Sequence, residues 1–250
     1  MFVTAPTSRD FAGPVFRNYR KGVASTHWSH AIRFETESKL PDWKRELAVA
    51  IATQACHAEH LGLCTASMLV LEAPTAEIRY AFASAAHDEA THSEILGRFA
   101  VACGGVLQEP NDHHAAMVLP LLDDELTYAE RATLHCFLEG FALDQFKTFV
   151  IAFEGDVLGD IYSWIRKDEA RHVALGMLAL DHTLRPRQRR QRFDLARIDE
   201  MSRKLGNVNN DLFDWLATIE KKPKAVIRHR YIRNHAKRIK EIRQLMQGAD

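Results

Sequence analysis

The apolar pattern along the chain reads as helix throughout, and no run of alternating β-branched residues is long enough to build a sheet. Residues 1–40, with Pro6, Gly13, Pro14 and scattered aromatics, read as an irregular extension. A long helix is predicted from Pro41-Asp42 to about Leu71, since proline fits a first helical turn. Glu72-Ala73-Pro74-Thr75 breaks it, with Thr75 as N-cap of a second helix that runs to about Val101 and stops at Gly104-Gly105. A connector follows from Gly104 to Leu126. Thr127-Tyr128-Ala129-Glu130 then reads as a capping box that opens a third helix, ending near Glu154-Gly155. A fourth spans about Asp156 to Leu184 and is stopped by Pro186. Further helices are predicted over Arg187–Leu205, Asp211–Glu220 and Pro223–Met246.

The chemistry sits on the four long helices. Glu89-x-x-His92 lies in the second and Glu169-x-x-His172 in the fourth, and residues three apart share a helix face. Glu59 precedes Glu89 by the same interval at which Glu139 precedes Glu169. The two sets run at one constant offset, Glu59 to Glu139, Glu89 to Glu169 and His92 to His172, which Cys56 and Cys136 share, as in an internal duplication. Counted back to the first hairpin turn near Pro74, Glu59 and Glu89 are equally distant, about 22 Å along the helix. Glu139 and Glu169 lie at a similar distance from the second turn. Four carboxylates and two imidazoles can therefore meet at one level. Four anions in a core could not stay charged without cations, and this donor set favours iron or manganese over zinc or calcium.

Two short-looped hairpins joined by a long connection make the ferritin-like arrangement of a four-helix bundle. The predicted architecture is all-α: an extension over 1–40, the bundle over 41–184, and a basic helical extension over 185–250 packed on it. The repeated pattern, Glu-x28-Asp-Glu-x-x-His, resembles the ferritin-like di-iron oxygenases, in particular the group that includes p-aminobenzoate N-oxygenase. The resemblance covers about residues 42–184. It implies that Glu59, Glu89, His92, Glu139, Glu169 and His172 are metal ligands and catalytic. It implies O2 as co-substrate and an external electron-donor protein. It also implies that Asp88 and Asp168 accept the ligand histidines' other N–H crosswise, Asp168 to His92 and Asp88 to His172. The first motif has Thr91 where the usual arginine stands in the second as Arg171. At the position of the N-oxygenases' extra histidine ligand the chain has Ile165. His135, one turn before Glu139, is a further metal-ligand candidate or a pocket histidine. Tyr162, two turns before Glu169 on the same face, is a redox tyrosine or a core residue.

Charge and cysteines add two further expectations. The net charge is zero, yet residues 185–250 carry 18 Lys+Arg against 8 Asp+Glu, leaving 15 against 25 in the rest. The basic tail is either a solvated or bundle-packed face, or a surface for an anionic carrier, a CoA-type substrate or RNA. No RNA-binding motif supports the last. Cys56, Cys64, Cys103 and Cys136 form no C-x-x-C pair, which argues against rubredoxin-type iron and for reduced thiols in a cytoplasmic protein. No apolar run reaches the roughly 18 residues of a membrane span, and no signal peptide is expected. The expected function is O2-dependent monooxygenation of a small or carrier-bound organic substrate by two irons, with manganese or an Fe/Mn pair as alternatives. Iron storage or peroxide detoxification, as in bacterioferritin or rubrerythrin, and a ribonucleotide-reductase-like radical subunit are the other readings. A monomer or homodimer is expected.

Overall fold

The computed structural model describes residues 13–34, 40–105, 125–185, 193–208 and 210–247. Eight α-helices and one 3-10 helix, and no strand, occur among them. The helices are α1 (Pro14–Ser25), α2 (Asp42–Glu72), α3 (Ala76–Ala102), α4 (Tyr128–Ala152), α5 (Val157–Leu184), α6 (Leu195–Val208), α7 (Asn210–Glu220) and α8 (Lys224–Gln247).

The four long helices begin and end where local chemistry dictates. The Thr75 hydroxyl accepts from Ile78 N at the start of α3. Thr127 and Glu130 form the reciprocal capping box of α4, with Thr127 N donating to Glu130 Oε2 at 2.8 Å. The Asp156 carboxylate caps α5 by accepting from Leu158 N at 3.1 Å. Gly155, at φ +81°, takes the left-handed conformation that lets α4 turn into α5. Helix α2 packs along α3, and α4 along α5. The hairpins then meet through α2 on α4 and α3 on α5. This is an all-α, ferritin-like bundle.

Two expectations need correction. The stretch before Pro41 is not irregular throughout. Pro14 opens α1 from the first helical position, and a 3-10 turn, Thr26–Ala31, follows. Helix α1 lies across α3 and α5, with Phe16 buried and in edge contact with Tyr80. The sixth helix starts at Leu195, with Phe193 and Asp194 outside it, where the Asp194 carboxylate accepts from Arg197 N. The start expected at Arg187, the arginines at 187, 189, 190 and 192, and nearly all of the connector after Gly105 lie outside the described residues.

Helices α6, α7 and α8 pack mainly on α4. Arg238 donates to the Gly140 carbonyl at 2.6 Å and to Asp144 at 2.8 Å. A Cβ at position 140 would collide with that arginine's Nε, so glycine leaves room for the Arg238 side chain here. Glu220 pairs with Arg230 across the α7–α8 turn and accepts from Thr148 of α4 at 3.1 Å. The basic tail is thus amphipathic: Ile227, Tyr231, His235, Ile239 and Ile242 are buried, and most of its charges face outward. No helix among the described residues is long and apolar enough to cross a membrane.

Candidate metal centre

Helices α2 to α5 each deliver carboxylates to one buried level of the bundle. Donor atoms of Glu59, Glu89, His92 and Glu169 lie within 4.8 Å of one another, and so do those of Glu89, Glu139, Glu169 and His172. Glu89 and Glu169 belong to both groups. The Glu89 carboxylate turns Oε1 to His172 Nδ1, 2.8 Å away, and Oε2 to His92 Nδ1, 4.0 Å away. Glu169 does the reverse, with Oε1 3.3 Å from His92 Nδ1 and Oε2 3.4 Å from His172 Nδ1. Each of these two carboxylates therefore offers one oxygen to either group. Glu59 Oε2 stands 3.3 Å from His92 Nδ1, and Glu139 Oε2 stands 4.0 Å from His172 Nδ1.

All six side chains are buried. Among the described residues, Glu89 Oε1, both Glu169 oxygens and His172 Nδ1 have no hydrogen-bond partner, although Glu89 Oε1 and His172 Nδ1 nearly touch. Lone pairs that converge without hydrogen-bond alignment fit two shared cations. Electrostatics point the same way. Burial, then the charges of Glu169 and Glu89, push the Glu59 and Glu139 carboxyls well above their ordinary range. Burial opposes a charge on His92 and His172, but the surrounding carboxylates outweigh it and raise both imidazoles. A buried level crowded with carboxylates favours added positive charge. Gly62 gives the room for this: a Cβ there would stand 2.6 Å from Glu89 Oε2.

The outer partners are crosswise. His92 Nε2 donates to Asp168 Oδ2, and His172 Nε2 donates to Asp88 Oδ2, both at 3.3 Å. Arg171 Nη2 joins the two acids, donating to Asp88 Oδ2 and Asp168 Oδ1 at 2.8 Å each. Asp168 also accepts from Ser25 Oγ at 3.0 Å and Trp28 Nε1 at 3.1 Å. Burial alone would raise Asp168; its hydrogen bonds to His92 and Arg171 win and hold it well below the usual carboxylate range. Each acid fixes the tautomer of its histidine, leaving Nδ1 to face the converging carboxylates.

Two candidates fall outside the converging groups. His135 stands beside the site, with Nδ1 3.1 Å from Glu139 Oε1 and its ring against Phe82. Burial, then the neighbouring His172, lowers it to about 3, so it is neutral at ordinary pH. Tyr162 is fully buried between Phe146 and Phe149, and its hydroxyl has no hydrogen-bond partner among the described residues. Burial, then the Glu59 charge, pushes that phenol far up. Sequence reasoning missed Ser25 and Trp28, which lie far from Asp168 along the chain and carry no spacing signal.

A cavity of about 640 Å3 opens from the site. Its inner end is formed by Glu59, Glu89, Glu139 and His135. Its wall comes from α4 (Leu138, Phe141, Ala142, Phe146) and from α7 and α8 (Leu212, Phe213, Tyr231, Ile232, Ala236, Ile239). The sequence predicts the tail helices packed on the bundle but not that they line a cavity. Their buried stripe at 227, 231, 235, 239 and 242 was the signal that they build a wall.

No model of a known protein family matches the sequence, and no curated protein matches it. Solved structures do share the fold. An R2-like ligand-binding oxidase with aerobically reconstituted Mn/Fe cofactor superposes with a TM-score of 0.68 at 18% identity, over 92% of this chain and 93% of that one. A variant of R2-like ligand-binding oxidase with an Fe/Fe cofactor gives 0.67 at 18% identity, over 92% and 94%. At that identity the likeness establishes the fold.

Proposed function

We propose that the protein is a non-haem oxygenase that uses O2 to oxidise a small organic molecule at a di-iron or mixed manganese–iron centre. The observation that carries this reading is the cavity. A chamber of about 640 Å3 falls in the range of small-molecule sites, roughly 300–1,000 Å3. It ends on three of the four converging carboxylates. A metal store has no use for an apolar chamber of that size at its ligands.

Glu59 and His92 would hold one metal, Glu139 and His172 the other, and Glu89 and Glu169 would bridge them. Bound there, the pair would supply the redox equivalents and Lewis acidity that O2 reduction requires. The Mn/Fe and Fe/Fe cofactors of the structural neighbours support that metal choice. On the α1 side Trp28, Ser25 and Arg171 close the site, so substrate reaches it from the α4 side. Neutral His135 presents an uncharged polar edge beside Glu139. One oxygen atom enters the substrate and the other leaves as water, with two electrons from an external donor protein and two protons from solvent. Between the two insertions, N-oxygenation and hydroxylation, hydroxylation fits better. Ile165, where the N-oxygenases have their additional histidine, is packed in the apolar core. A cytoplasmic monomer or homodimer belongs to this reading.

Anaerobic loading with Fe(II) or Mn(II)/Fe(II), metal counting, and then exposure to O2 alongside size-exclusion chromatography test it. Two metals per chain and a monomer or dimer that consumes O2 are expected. A cage of many subunits would establish storage instead.

A further inference from the structure

The two halves of the metal level are not equally furnished. On α4, His135 lies one helical turn before Glu139. Side chains lean toward the N-terminus of their helix, so the Glu139 carboxylate lies back over the His135 ring. His135 Nδ1 stands 3.1 Å from Glu139 Oε1, and the ring is held edge-on by Phe82, with centroids 5.5 Å apart. The other oxygen, Oε2, is the one turned toward His172 Nδ1, 4.0 Å away. On α2 the equivalent position, one turn before Glu59, is Ala55, whose methyl group can donate nothing.

His135 is fully buried, yet neither of its ring nitrogens has an aligned hydrogen-bond partner among the described residues. A buried imidazole in that state is costly, and buried polar groups are as a rule paired. His135 belongs to neither converging donor group, so ligation is not how it is satisfied. A small turn of the ring brings Nδ1–H onto Glu139 Oε1, an acceptor already within reach. We infer that His135 is a positioning residue: it donates from Nδ1 to Glu139 Oε1, so that Glu139 meets its metal through Oε2 alone. Glu59, with no such donor at the equivalent position, is free to offer both oxygens. The physical reason is competition for a lone pair. The second oxygen of a chelating carboxylate closes a strained four-membered ring and is weakly held, so a charge-assisted hydrogen bond suffices to take it. The metal held by Glu139 and His172 is then one protein oxygen poorer than the metal held by Glu59 and His92. The inference rests on the two-metal reading of the site.

Stepwise titration of the metal-free full chain with Mn(II), followed by electron paramagnetic resonance, tests it. Glu139→Ala identifies the step that belongs to the His172 side. His135→Leu fills the space without a donor, and His135→Asn places an amide N–H near the position of Nδ1. The Leu variant is expected to bind about tenfold more weakly at the step that Glu139→Ala removes and unchanged at the other. The Asn variant should restore most of that loss. The carboxylate infrared bands of the metal-loaded Leu variant should shift toward the narrower splitting of a two-oxygen chelate. Urea denaturation of the metal-free Leu variant should show no loss of stability, because an unpartnered buried imidazole has given way to an apolar side chain. That readout separates positioning from packing. Two metals bound with an unchanged titration in the Leu variant would overturn the role of His135 and leave the two-metal reading standing. So would an equal fall at both steps, or no recovery in the Asn variant. Fewer than two metals in the unaltered protein would overturn both.

Discussion

Helices α2–α3 and α4–α5 carry the same converging Glu and His side chains at the same spacing, yet their surroundings differ. The constant offset in numbering holds for Glu59 and Glu139, Glu89 and Glu169, His92 and His172. It also holds for contacts. Ser93 donates to the Cys56 carbonyl, and Cys136 contacts the carbonyl of Val173, its counterpart pair. Around this common frame the partners diverge: Ala55 against His135, Phe82 against Tyr162, Thr91 against Arg171. Among the described residues Asp88 accepts from Arg171 and His172, whereas Asp168 accepts from Arg171, His92, Ser25 and Trp28. Helix α1 seals the Asp168 side, and α7–α8 build a chamber on α4. The lesson is that the repeated pattern holds among the converging side chains and is relaxed around them. Access and outer hydrogen bonding can be built differently on each half.

Removing a shared donor gives the largest break. Glu89→Ala or Glu169→Ala takes a carboxylate from both donor groups at once and is expected to abolish binding of the second metal, read as metal per chain by elemental analysis. Two metals in both variants would refute the bridging roles. The difference between Thr91 and Arg171 comes next. Arg171→Ala strands Asp88 and Asp168 in a buried setting and should cost about 3–5 kcal/mol, measured by urea denaturation. Thr91, whose hydroxyl merely returns to the His87 carbonyl, should cost within about 0.5 kcal/mol as alanine. Equal effects would mean that Arg171 is no clamp. The finest probe is Trp28→Phe, which removes one of the donors to Asp168 and none to Asp88. Affinity for one of the two metals should fall about tenfold in a stepwise titration while the other holds. A matched fall at both sites would show that the halves are more tightly coupled than their separate partners suggest.

Much of the bundle was legible before any coordinates. Thr75, Thr127-x-x-Glu130, Asp156 and Gly155 are local signals, because a cap or turn is decided by groups a few residues apart. The convergence of Glu59, Glu89, His92, Glu139, Glu169 and His172 was legible for a related reason: a helix converts spacing into position, so equal distances from two turns imply one depth. Helix α1 was hidden by Pro6, Gly13 and Pro14, at and before its start. The tail's charge drew more notice than its packing because Lys and Arg together outnumber the five inward positions of α8.

The sequence by itself therefore determined the helices, the hairpins and the common depth of the six side chains, all properties of short segments with a fixed rise per residue. Only the tertiary structure decided which two carboxylates face both histidines, that one arginine serves both aspartates, and that Trp28 and Ser25 reach Asp168. It alone placed an apolar cavity between α4 and the C-terminal helices. Those features join residues far apart in the chain, and no local periodicity encodes where packed helices come to face one another.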